Sequence, residues 1–190
     1  MRTYHIVIAT CWLLFFIVWA ALAMVDGGRG GRSTPVGRWV RLVLIVAIGL
    51  AIFYGDRLPL TAFARATTGT AAAIGAAAAG AVICVLGLAF AIWARVTLGR
   101  HWGMPMTLRD APVLVTWGPY AYVRHPIYTG LATMMIGTTL VYPLGVLWCV
   151  VMIPYMIFSA RREERDMDRL FPDVYPAYKR GSKMLVPFLF

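Results

Sequence analysis

Long apolar runs, separated by short arginine-bearing stretches, dominate the chain. A helix needs about 20 mainly apolar residues to cross a bilayer core. Tyr4–Val25 meets this requirement and stops at the Gly-rich stretch Asp26–Gly31. It exceeds the roughly 7–15 apolar residues of a cleaved signal, so it is read as a retained helix. Trp39–Tyr54 qualifies if Arg41 snorkels to the headgroups. Thr70–Ala94 qualifies easily, and its Ala- and Gly-rich start suits a close helix–helix seam. The last apolar block, about Pro126–Ala160, is split by Tyr142-Pro143 into two arms. The pattern predicts an all-α, polytopic integral membrane protein with about five transmembrane helices. The last two form a helical hairpin, and a cytoplasmic C-terminal segment follows. With no internal repeat and no long linker, 1–190 reads as one domain. Its N-terminal two-helix part covers 1–68 and its core 69–190.

Composition sharpens this picture. Of 190 residues, 61% are apolar and 14% charged, against roughly 25% charged in soluble domains. Disorder is excluded on that ground. The net charge of +10 comes from 18 Lys+Arg against 8 Asp+Glu. The arginines cluster between apolar runs, so the charge reads as membrane topology and not as a nucleic-acid surface. Fifteen Lys and Arg fall in the first loop, the third loop and the tail, against three on the other side. The positive-inside rule then puts the N-terminus outside and the C-terminus in the cytoplasm, as in a bacterial inner membrane. Cys11, Cys84 and Cys149 lie far apart inside apolar runs. They fit neither a disulfide framework nor a metal-ligand spacing, and no metal is expected.

Polar and ionisable residues gather in two places, Thr97–Tyr128 and Arg161–Tyr178. Aromatic anchoring at the membrane interface explains part of this. Ionisable groups at a membrane boundary also mark functional sites. Gly118-Pro119 makes a turn that lets Tyr120 point back into the protein. Pro126 suits a first helical turn, so His125 and Tyr128 flank a helix start on similar faces. Glu163 and Glu164 point about 100° apart, so one can face a pocket and the other solvent. A carboxylate suits a ribose diol, since each oxygen accepts a hydrogen bond. The alternative for this pair is surface pairing with Arg161, Arg162 or Arg165.

The strings LVTWGPYAYVRHPIYTG (Leu114–Gly130) and EERDMDRLF (Glu163–Phe171) come first, then Tyr175 and Tyr178, then Leu185-Val186-Pro187. Together they resemble the membrane methyltransferases that include isoprenylcysteine carboxyl methyltransferases and phospholipid methyltransferases. The resemblance covers roughly the C-terminal half. It implies an S-adenosylmethionine site facing the cytoplasm, roofed by the C-terminal segment, with S-adenosylhomocysteine as product. It also implies a lipophilic substrate entering from the bilayer. The cofactor residues it implies are Leu114, Val115, Tyr120, His125, Pro126, Ile127, Tyr128 and Glu163. Two departures stand out. Pro112 sits where carboxyl methyltransferases often have a His. Ser159 sits one turn before Glu163, where they use an Arg for the substrate carboxylate.

Methyl transfer from a sulfonium needs mainly positioning, which is worth about 7–11 kcal/mol. An amine acceptor also needs a base, for which His101, Glu164 and Tyr178 are candidates. Arg162 is the candidate cation for an acidic acceptor, although it lies on another helix face than Ser159. The preferred reaction on sequence is carboxyl O-methylation of an isoprenylcysteine-like acid. Phospholipid N-methylation is the alternative. An NADPH-dependent sterol-type reductase, sharing an RHP-x-Y element, and a non-catalytic scaffold stand behind it.

Overall fold

The computed structural model describes residues 2–25, 70–101 and 113–187. Among them are five α-helices: α1 (Arg2–Val25), α2 (Ala71–Leu98), α3 (Pro126–Val141), α4 (Gly145–Leu170) and α5 (Tyr175–Gly181). Short 3-10 turns cover Gly99–His101 and Gly118–Ala121. The described residues contain no strand, only an isolated parallel bridge between Val123 and Lys183. The all-α expectation holds. Among the described residues, three helices are long and apolar enough to cross a membrane: Arg2–Leu22, Ala71–Leu98 and Gly145–Leu170. α3 is shorter, at 16 residues. The expected span Trp39–Tyr54 lies outside the described residues.

Local sequence explains the boundaries. Thr70 caps α2 by accepting a hydrogen bond from the Ala73 N–H at 3.2 Å. α2 runs to Leu98, past the expected end at Ala94, and so carries Arg95 inside the helix. Pro126 opens α3, where a missing N–H costs nothing. Tyr142-Pro143-Leu144 turns the chain into α4, with the Gly145 N–H bonded to the Tyr142 carbonyl at 2.7 Å. The arm expected to end near Ala160 instead continues to Leu170 as one helix. The segment after Ala160 is rich in Arg and Glu, both good helix formers, and has no Gly or Pro before Pro172. The acids therefore ride on a rigid helical extension.

Among the described residues, α2 and α3 pack together most extensively. A Cβ built on Gly80 would come within 2.6 Å of the Gly137 carbonyl oxygen. One on Gly87 would come within 2.7 Å of the Gly130 carbonyl oxygen. The two glycines on each helix are one heptad apart, so the pairs recur as the helices pass. Small residues admit such backbone approach in lipid, where packing replaces the hydrophobic driving force. This is the seam the Ala/Gly run foretold. α1 joins the same core through Ile8, Cys11 and Phe15, against Cys84 and Leu88 of α2 and Met134 of α3. The Trp12 indole N–H donates to Thr138 Oγ1 at 3.1 Å. Cys11 and Cys84, distant in sequence, share this buried cluster. All three cysteines are free thiols.

Candidate functional site around His125 and Glu163

The site forms where the start of α3, the extension of α4 and the C-terminal strand of chain meet. Gly118 opens the turn before it, with φ of +62°. A Cβ there would crowd the Thr97 side chain at 3.1 Å, so any other residue is strained in backbone and tight in space. The turn delivers Tyr120 inward, as expected. Its ring is buried with Val115 against Ala94, with Leu98 and Ile127 packed alongside. Pro126 is buried as well, and Leu114 partly so.

Residues 182–185 lie beside residues 122–125 as a strap. The Lys183 N–H donates to the Tyr122 carbonyl at 3.2 Å, and the Arg124 N–H to the Lys183 carbonyl at 2.8 Å. The His125 N–H donates to the Met184 carbonyl at 3.2 Å. Thr129 Oγ1 donates to the Leu185 carbonyl at 2.6 Å. Met184 and Leu185 pack on Ala160 of α4, with Tyr128 and Ile157 alongside. The Tyr178 hydroxyl ties α5 to the turn by donating to the Tyr120 carbonyl at 2.7 Å.

His125 and Tyr128 stack with ring centroids 5.7 Å apart. The Tyr128 hydroxyl donates to Glu163 Oε1 at 2.5 Å. His125 Nδ1 stands 3.4 Å from Glu163 Oε2, and Nε2 stands 3.6 Å from Glu164 Oε1. The imidazole is 10% exposed, and its Nε2 has no hydrogen-bond partner among the described residues. Glu163 is 45% exposed while Glu164 is 7% exposed. One acid of the pair is therefore open and the other enclosed. Glu164 does not pair with Arg161, Arg162 or Arg165. It takes Arg124 Nε at 2.6 Å and Lys179 Nζ at 3.1 Å.

Burial alone would lower the His125 pKa. The nearby carboxylates of Glu163 and Glu164 outweigh it and hold the value above the ordinary 6.5. The unfolded chain titrates near 6.5, so this stabilisation is complete below that pH and is lost as pH rises through the higher folded value. The stability gap between wild type and His125→Gln should therefore shrink as pH rises from below 6.5 through the raised folded value. Melting in detergent across that range checks this; a constant gap would contradict it. Burial also raises the Tyr120 hydroxyl and pushes Tyr178 up to about 12.

The structure thus gathers Val115, Tyr120, His125, Pro126, Ile127, Tyr128 and Glu163 at one end of the helices. It leaves His101 and Arg162 exposed. It encloses Glu164 in ion pairs, and Tyr178 is a hydrogen-bond donor to backbone. Sequence reasoning gave no role to Arg124, which stood only as the first residue of the RHP string and as a loop charge, or to Lys179, which it counted as a topological charge. It also placed Arg95 in a loop, whereas the side chain is 1% exposed within α2 and donates from Nη1 to the Gly99 carbonyl. The string F-x-x-x-Y-x-x-Y was the available signal for Lys179, which directly follows its last tyrosine. The donor set suits a nucleoside carrying a sulfonium. An open carboxylate can take a diol, and aromatic faces adjoin it.

Among the described residues, no group of three or more His, Cys, Asp or Glu could hold a metal ion. Residues 76–174 match the family model for phospholipid methyltransferases. That stretch runs from α2 to the residue before α5 and includes Tyr120, His125, Tyr128, Glu163 and Glu164. Methanethiol S-methyltransferase 1 of Bradyrhizobium diazoefficiens is 35% identical over 69 residues, which are 36% of this chain and 24% of that protein. Methanethiol S-methyltransferase of Crocosphaera subtropica is 30% identical over 70 residues, 37% of this chain and 28% of that protein. The chain thus spans about a quarter of the length of the curated relatives it matches. The apolar helices and the match over about half its length lead to one assignment: this membrane protein belongs to the phospholipid methyltransferase family.

Proposed function

We propose that the protein is an S-adenosylmethionine-dependent methyltransferase acting on a small lipophilic nucleophile drawn from the bilayer. The observation that carries this reading is the convergence of His125, Tyr128 and Glu163 from two helices onto one half-open carboxylate. The donor supplies an electrophilic methyl on sulfur, and little acid–base chemistry is then asked of the protein. The open face of Glu163 would accept from the ribose hydroxyls. His125 and Tyr128, both set against Glu163, would orient that carboxylate and line the pocket. Tyr120, Val115 and Ile127 would exclude water from the reacting end. Orienting two reactants in a dry site is worth about 7–11 kcal/mol. In the same reading the site faces the cytoplasm, in keeping with the Lys and Arg excess on that side.

For the acceptor, a thiol is favoured over a carboxylate. Both relatives are named for S-methylation. Ser159 stands one turn before Glu163, where carboxylate recognition would want a cation. The carboxylate reading, preferred on sequence, is the rival. Purified protein in detergent, given methyl-labelled donor and a panel of acceptors, decides between them. Label is expected in an alkanethiol. Label only in a prenylcysteine would establish the carboxylate reading, and label only in phosphatidylethanolamine the amine reading. Thermal stabilisation by NADPH, with none by S-adenosylhomocysteine, would overturn the donor assignment.

A further inference from the structure

Glu164 is a candidate base by sequence, yet its surroundings describe another task. Its Oε1 takes Arg124 Nε at 2.6 Å and its Oε2 takes Lys179 Nζ at 3.1 Å. Arg124 Nη1 goes on to the Lys179 carbonyl at 3.2 Å and to the Ser182 carbonyl. Lys179 also reaches Asp168 Oδ2 at 3.4 Å. One enclosed carboxylate thus joins α4, the loop before α3, and both ends of the segment that becomes the strap. The strap in turn bonds the His125 backbone through Met184. An acid with both oxygens committed to cations is a poor proton acceptor, whereas breaking a buried pair by deleting one partner is strongly destabilising locally.

We propose that Glu164 is a positioning residue: with Arg124 and Lys179 it latches the C-terminal strap, and so holds His125 and Glu163 in the geometry that grips the methyl donor. The donor side of this inference rests on the function proposed above; the latch itself does not. Glu164→Ala is expected to weaken S-adenosylhomocysteine binding about tenfold or more. It should also speed tryptic cleavage after Lys183, whose N–H and carbonyl are both bonded in the closed strap. The double variant Glu164→Gln with Lys179→Gln keeps an acceptor for Arg124 and lets the two amides bond each other. It should recover most of the donor affinity, the slow cleavage and methyl transfer, although an amide cannot act as a base. A double variant with wild-type affinity and slow cleavage but no transfer would overturn the proposal in favour of a base. So would unchanged cleavage in Glu164→Ala. If that variant does not fold, Lys179→Met provides the same cleavage measurement. If the wild type binds no S-adenosylhomocysteine, the function fails and the cleavage result alone judges the latch.

Discussion

Glu163→Ala is expected to reduce affinity for S-adenosylhomocysteine by about tenfold to a hundredfold, the range of one lost hydrogen bond to a charged group. Two features make this the largest functional effect. Glu163 is the open member of the acid pair, with lone pairs left to offer a ligand. It is also the acceptor of Tyr128 and the neighbour of His125, so removing it leaves both without their anchor. Tyr128→Phe should lose less, because the carboxylate stays. Glu163→Gln should fall between the two, since an amide presents one acceptor where the carboxylate presents two. Calorimetric titration of purified protein measures all three. Wild-type affinity in Glu163→Ala would show that the pocket lies elsewhere.

The largest structural effect is expected at Gly137. Even alanine there would put its Cβ 2.5 Å from the Gly80 carbonyl oxygen and 2.6 Å from the Cys84 nitrogen. Both are backbone atoms of α2 and cannot swing aside as a flexible side chain would. The helices must separate, and the seam loses dispersion contacts along its length. Overpacking of this kind costs about 1–3 kcal/mol, and Gly137→Leu should exceed Gly137→Ala. Gly75 is the control. It lies on α2 with nothing within 4 Å of its added Cβ, so alanine there should be neutral or gain up to about 1 kcal/mol of helix propensity. Heating in detergent followed by size exclusion separates the cases. A Gly137→Ala protein that melts like wild type would disprove the tight seam.

Much of the site could be read from residue order. The R-H-P-x-Y string contains its own helix start, because proline suits a first turn and places His125 and Tyr128 on neighbouring faces. The EE pair after an apolar run gave two carboxylates about 100° apart. That one is open and the other enclosed was also foreseeable. What held the enclosed one was not. Arg124 is 40 residues from Glu164, and charge counting treats every arginine of a loop alike.

Order along the chain therefore determined the helices, the small-residue seam and the residue types at the pocket. All of these follow from periodicity and neighbours within a turn or two. The tertiary structure alone decided the assignment of roles. It buried Arg95 and laid the strap against residues 122–125. It also spent Glu164 on two cations and left Glu163 available. Those outcomes depend on which distant side chain arrives first at a given carboxylate in a nearly dry space. An unpaired charge there is too costly to leave alone, and no local spacing encodes the partner.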